Sequence, residues 1–189
     1  MEEITLELLL ERIKSADDAT RASARDHAGS VGAAAVAPLA KIAATGELEI
    51  ARAANHAIQN IVYHAGRPGA QAEAAAVAAE LLKLLDNSLP LQLRRDVLWM
   101  TWQIAGEEAV DTVAALLSNA ELNESARMTL ERLPGEKATA ALKAALAAAP
   151  DDAKPALAHS LQVRGVDTPG VPDLRLKPTK ATAVKPVGR

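Results

Sequence analysis

The chain repeats itself. Glycines stand at Gly32, Gly66, Gly106, Gly135 and Gly165, spaced 34, 40, 29 and 30 residues apart, and a similar two-part apolar pattern precedes each. Self-similarity at this period marks units too small to bury their own apolar faces, which must therefore stack on their neighbours. The second unit shows the pattern most clearly. Residues Ala33 to Ile42 carry apolar side chains at helical spacing, Thr45-Gly46-Glu47 interrupts them, and Ile50, Ala53, Ala54, Ala57, Ile58, Ile61 and Val62 resume at i, i+3, i+4, i+7 and i+8. That is a helical hairpin.

The other units follow the same template. In the first, Leu8, Leu9 and Ile13 precede Asp17-Asp18, and Thr20 to Val31 follow. The third has Val77, Leu81, Leu84 and Leu85 before Asp86-Asn87-Ser88, then Leu93, Val97, Met100 and Ile104. In the fourth, Val110, Val113, Leu116 and Leu117 lead to Asn119 through Asn123 and then Ala126 to Leu133; in the fifth, Leu142, Ala145 and Leu146 lead to Pro150-Asp151-Asp152 and Ala153 to Val163. Composition agrees: of 189 residues 43 are Ala and 25 are Leu, Phe is absent, and Ala and Leu lead the helix scale while strands favour β-branched and aromatic residues. The expected fold is all-α, a right-handed α-solenoid of about five hairpins over residues 1–165. Acidic and amide residues before each second helix are expected to cap it, and each repeated glycine to end it in the left-handed conformation. Pro38 should kink its helix or mark a late start, and residues 67–76 read as an insertion or a lengthened helix.

Residues 166–189 differ. They hold four of the ten prolines and a net charge of about +3 against −6 for residues 1–165, so an extended or disordered basic tail is expected, with Val171, Leu174 and Leu176 docking on the body. The acidic body argues against a nucleic-acid partner. The acidic N-terminus does not read as a signal peptide, no uncharged apolar run has membrane-spanning length, and cysteine is absent, so a cytoplasmic protein without membrane association is expected.

A basic residue recurs near the start of each second helix: Arg21, Arg52, Arg95, Arg127 and Lys154. Together with the proline of Ala35-Val36-Ala37-Pro38-Leu39, the acidic turns, the alanine-rich second helices and the closing glycines, this resembles the short HEAT-like repeats first noted in phycobilisome lyase subunits, over about residues 4–165. The resemblance implies that the second helices line a concave surface. Such repeats serve many unrelated roles, so it implies no one activity.

Aligning the units on their basic residues places Arg25, His56, Trp99, Glu131 and Ala158 one turn further on, and Ala28, Gln59, Trp102, Pro134 and Leu161 a turn beyond. Arg95, Trp99 and Trp102 share a helix face distinct from that of Leu93, Val97, Met100 and Ile104. The candidate site is therefore a concave, protein-binding patch of Trp99 and Trp102 flanked by Arg52, His56, Gln59 and Arg95. Burial of the two indoles as core fillers is the competing placement. The basic series is expected to bridge to acidic turns of neighbouring units.

Catalytic, cofactor and metal motifs are not readable. His56 and His64 lie two turns apart on one face, too far to share a metal, and there is no phosphate-cradling glycine loop. The expected function is a non-enzymatic scaffold binding a protein or peptide, without cofactor. The alternatives implied by the resemblance are a lyase-like or chaperone-like subunit acting on a small chromophore or cofactor and, through Asp96 beside the tryptophans, a HEAT-like DNA glycosylase, which the acidic body disfavours.

Overall fold

The structure, a computed structural model, describes residues 4–86 and 88–171. It is 75% helical, and no strand occurs among the described residues. Thr5 opens the first helix, α1 (Leu6–Ile13), by accepting from the Leu8 N–H at 3.3 Å. Asp17 opens α2 (Asp18–His27), accepting from the Thr20 N–H at 2.8 Å. α2 runs on through a 3₁₀ segment (Ala28–Ala35) into α3 (Val36–Thr45). Then come α4 (Leu48–Ala65), α5 (Gln71–Lys83), α6 (Leu91–Ile104), α7 (Val110–Ala115) between two short 3₁₀ turns, α8 (Asn123–Arg132), α9 (Glu136–Ala148) and α10 (Lys154–Val163).

Neighbours in sequence pack in pairs, α1 on α2, α3 on α4, α5 on α6, α7 on α8 and α9 on α10. The second members also pack in succession, α2 on α4, α4 on α6, α6 on α8 and α8 on α10, while α3 touches α5 and α7 touches α9. One apolar core runs between the two sets, from Leu9 and Ile13 through Leu39, Ile58, Ile61, Leu81, Val97, Leu98, Leu122, Leu130 and Leu142 to Leu161. Alanines at Ala53, Ala54, Ala57, Ala78, Ala126 and Ala138 are buried in it, and short side chains at such contacts let helix axes approach closely.

Pro38 marks a late start. It is the third residue of α3, where its missing N–H would have had no intrahelical partner. The break lies upstream at Gly32, whose φ of 71° and ψ of −152° turn the chain between α2 and α3. Together Asp18–Thr45 form a helical run of 28 residues with a window of mean hydropathy 1.3, enough by length and composition to cross a membrane, although the sequence reading expected no such span. In the fold this run is bent at Gly32, and α2 and α3 both lie against α4. Residues 67–76, expected as an insertion or a lengthened helix, divide between a turn at 67–70 and the start of α5 at Gln71.

Two punctuation rules hold only in part. Gly32, Gly135 and Gly165 adopt positive φ, but Gly66 and Gly106 sit at −77° and −106°. At Gly66 a Cβ would lie 3.3 Å from Cγ2 of Ile104 at the end of α6, a tight contact that asks that side chain to shift by a few tenths of an ångström. Likewise, among the described residues only Asp17 caps a second helix; α4, α6, α8 and α10 follow Glu47, Pro90, Leu122 and Ala153 without a side-chain cap. First-turn and adjoining acids are used differently, each pairing with the recurrent basic residue three positions on: Glu49 with Arg52 at 3.0 Å, Glu124 with Arg127 at 2.8 Å, Asp151 with Lys154 at 2.7 Å.

The expected tail is described only to Val171. Val166 N–H donates to the Leu161 carbonyl at 2.9 Å, and Val171 lines a shallow cleft with Leu146 and Leu161. Residues 172–189, with Leu174 and Leu176, lie outside the described residues.

Candidate functional site

α6 buries Leu93, Val97, Leu98, Met100 and Thr101, which leaves Arg95 and Trp99 exposed on its other side. Trp99 stays 46% exposed and Trp102, one turn on, is partly buried against the core. Their rings meet edge to face, with centroids 5.4 Å apart and planes at 82°, the arrangement that brings a positive ring edge onto a negative face. The Arg132 guanidinium of α8 lies 5.7 Å from the Trp99 centroid and 5.6 Å from that of Trp102. A cation at this range is held by both rings, so the exposed indole is braced from two sides.

The bracing depends on how α6 meets α8. Thr129, buried in α8, donates its hydroxyl hydrogen toward the carbonyl of Leu98 across the junction, 3.0 Å away, and toward its own Ser125 carbonyl at 2.9 Å. Arg95 reaches past it, its Nε and Nη2 donating to the Glu121 carbonyl at 3.3 and 3.0 Å. Arg95, Trp99, Trp102, Ser125, Met128 and Thr129 thereby enclose a hollow of about 50 Å³, with Met128 itself 37% exposed. Among the described residues the buried indole N–H of Trp102 has no hydrogen-bond partner.

Of the residues expected at the site, Arg95, Trp99 and Trp102 come together in this hollow. Arg52, His56 and Gln59 lie on the adjacent helix α4 and are not among its walls. Arg52 is held by Glu49, His56 is exposed, and the Gln59 amide donates to the Tyr63 hydroxyl at 2.7 Å. The two helices are tied one turn earlier, where the amides of Asn55 and Gln92 each donate to one oxygen of Asp96 at 2.8 Å. Both oxygens of that carboxylate are therefore engaged by neutral donors.

Met128, Arg132 and Tyr63 escaped the sequence reading. Tyr63 is 57% exposed on α4. Alignment on the basic residues put Glu131, not its neighbours, at the position of Trp99, and nothing in the helical period alone separates an exposed methionine from a core one.

The expected bridging of the basic series is mixed. Arg21 donates to the Ser15 and Ala16 carbonyls at 2.8 and 2.9 Å, while Arg95 and Arg127 reach into the next pair of helices. Arg127 donates to Ser160 of α10 and pairs with Glu131 at 3.3 Å, and Ser160 donates to the same carboxylate at 2.8 Å.

A second opening was not foreseen. Between α7 and α9 lies a groove of about 590 Å³ walled by Ala114, Ala115, Ala141, Ala145 and Ala148, with Arg127 at its edge. Its walls are mostly alanine, which leaves space that longer side chains would fill. Among the described residues no group of three or more His, Asp or Glu side chains is placed to share a metal ion. Comparison with known proteins finds no matching family model and no matching curated protein.

Proposed function

We propose that the chain is a right-handed α-solenoid of HEAT-like hairpins, and that its concave face, made by α2, α4, α6, α8 and α10, binds a protein or peptide without catalysing a reaction. The succession of contacts along the second helices supports the architecture. One observation carries the binding role: an indole that stays 46% exposed while Trp102 and Arg132 hold it in place. A large rigid side chain fixed before binding loses little rotamer freedom when it is covered, and tryptophan and arginine most often dominate interface energy. Arg95 and Met128 would form part of the rim.

A second reading draws on the alanine-walled groove, whose volume lies in the range of small-molecule sites. In it the chain is a lyase-like or chaperone-like subunit that holds a small chromophore or cofactor between α7 and α9. Visible absorbance of protein purified from its native host would support this reading over the first.

The direct experiment is selection of a random peptide display library on wild-type protein, with Trp99→Ala as counter-target and thermal melting to verify its fold. Recovery of peptides that bind wild type and lose at least about tenfold affinity for the variant supports the concave-face reading. Recovery of none, or of peptides indifferent to Trp99, overturns it.

A further inference from the structure

The exposed apolar side chains on the second helices are not scattered. Leu48 and Val163 are exposed at the first residue of α4 and the last of α10, while within the helix bodies Tyr63 on α4, Trp99 on α6 and Met128 on α8 are 57%, 46% and 37% exposed on three helices packed in succession. Packed helix axes lie about 8–10 Å apart, so a ligand crossing them must offer a side chain at about that interval. A polyproline II segment has three residues per turn and a rise of about 3.1 Å, which returns the same face about every 9.3 Å. A β-strand covers that distance in three residues but alternates its faces, so its contacts would point in and out by turns. An α-helix repeats a face over about 10.5 Å, yet it keeps its carbonyls for itself.

Hydrogen bonding favours the same occupant. A polyproline II backbone has no internal hydrogen bonds, so its carbonyls seek external donors. Because the Tyr63 oxygen accepts from Gln59, its own proton is left to donate outward. Arg95 engages the Glu121 carbonyl through Nε and Nη2, and no carboxylate lies within ion-pair distance of it among the described residues. Charge then sets the flanking residues. Arg95 and Arg132 bracket the indole pair, but Arg132 pairs with Glu131 at 3.4 Å, which leaves Arg95 as the cation for a ligand carboxylate, while Asp96 is engaged by the Asn55 and Gln92 amides.

We propose that the segment bound on this face is a proline-rich, acidic stretch of a partner protein in the polyproline II conformation, laid across α4, α6 and α8 so that every third side chain meets Tyr63, Trp99 and Met128 in turn. This rests on the concave-face reading above and adds the chemistry of the ligand. Prolines present a flat apolar face to aromatic side chains with little conformational entropy left to lose, and a carboxylate meets Arg95.

The test uses synthetic peptides and titration calorimetry on the full chain. The probe has four repeats of Pro-Pro-Glu; the controls replace Glu by Lys, replace both prolines by Gly-Ser, or are an acidic alanine-rich helix. Expected are binding of Pro-Pro-Glu at least about tenfold tighter than any control, loss of about tenfold in Trp99→Ala, and a smaller loss in Arg95→Gln that shrinks at high salt. Arg95 and Trp99 are both exposed, and a melting curve for each variant verifies folding. Equal affinity for the Gly-Ser or helical peptide, or no binding of Pro-Pro-Glu, overturns the proposal. Library peptides that need Trp99 but lack proline would overturn this ligand class while leaving the binding face intact. A library that yields no Trp99-dependent peptide would remove both.

Discussion

Two consecutive junctions among the second helices each begin from an arginine at the fifth residue of a helix and end differently. At α6 against α8, Arg95 reaches a single backbone carbonyl and the residue one turn on is an exposed tryptophan. At α8 against α10, Arg127 lies with Glu131 and Ser160 in a polar cluster, the two charged side chains only 12% and 10% exposed. Arg164 then reaches back from the end of α10 to the carbonyls of Leu130, Glu131, Leu133 and Gly135 and to the Thr139 hydroxyl, at 2.6 to 3.1 Å. One junction locks polar groups away; the other keeps an apolar group in water. The contrast separates stability from recognition along a single row of helices.

The largest effect is expected where the locked junction is tightest. Arg164→Ala removes the cation that satisfies the free carbonyls at the end of α8, where the helix dipole is negative, and should cost about 2–4 kcal/mol. Urea unfolding of the two proteins measures this. A loss below about 0.5 kcal/mol would mean that water satisfies those carbonyls equally well and that the junction is not the lock described here.

Glu131→Gln probes both junctions together. Its carboxylate pairs with Arg127 at 3.3 Å on one side and with Arg132, the cation over the indoles, at 3.4 Å on the other. Neutralising it leaves two partly buried guanidinium groups less compensated, with an expected loss of about 1–2 kcal/mol. A cycle with Arg127→Met should show coupling, and near-ultraviolet circular dichroism should change as Arg132 shifts over the tryptophans. Strict additivity would dissolve the link between the two junctions.

Trp99→Ala should reverse the order of effects. At this open junction the expected stability loss is about 1–2 kcal/mol, because Trp99 is only about half covered and carries the edge-to-face and cation–π contacts. A core tryptophan would cost about 3–5 kcal/mol on truncation, so the melting curve alone distinguishes the two placements.

How far these features are legible in the chain depends on whether they are local. The paired helices follow from apolar period and alanine content, and the shared face of Arg95 and Trp99 follows from 3.6 residues per turn. The exposure of Met128 and the position of Arg132 depend on how α8 crosses α6, which no local pattern encodes. The groove beside α9 is a void, and a void has no residue to announce it. The caps were misread because an acid near a helix start has two uses. Asp17 caps through Thr20, whereas Glu49 and Glu124, placed three residues before an arginine, form ion pairs along the helix.

That choice leaves Asp17 as the capping acid among the second helices, and it makes the smallest of the expected effects. Hydrogen bonds from the Thr20 hydroxyl and the Thr20 N–H stabilise its charged form and hold its carboxyl below the ordinary aspartate range. A carboxyl whose pKa is lower folded than unfolded contributes stability that is fully present above its unfolded value, about 3.9, and is lost as pH falls through the folded value. The α2 cap should therefore hold at neutral pH and loosen only below about pH 4, with no change between pH 6 and 8. Asp17→Asn keeps an accepting oxygen without the titrating charge. Its unfolding free energy should approach that of wild type as pH drops from about 5 toward 2, and a constant difference across that range would show that the cap acts through geometry and not through charge.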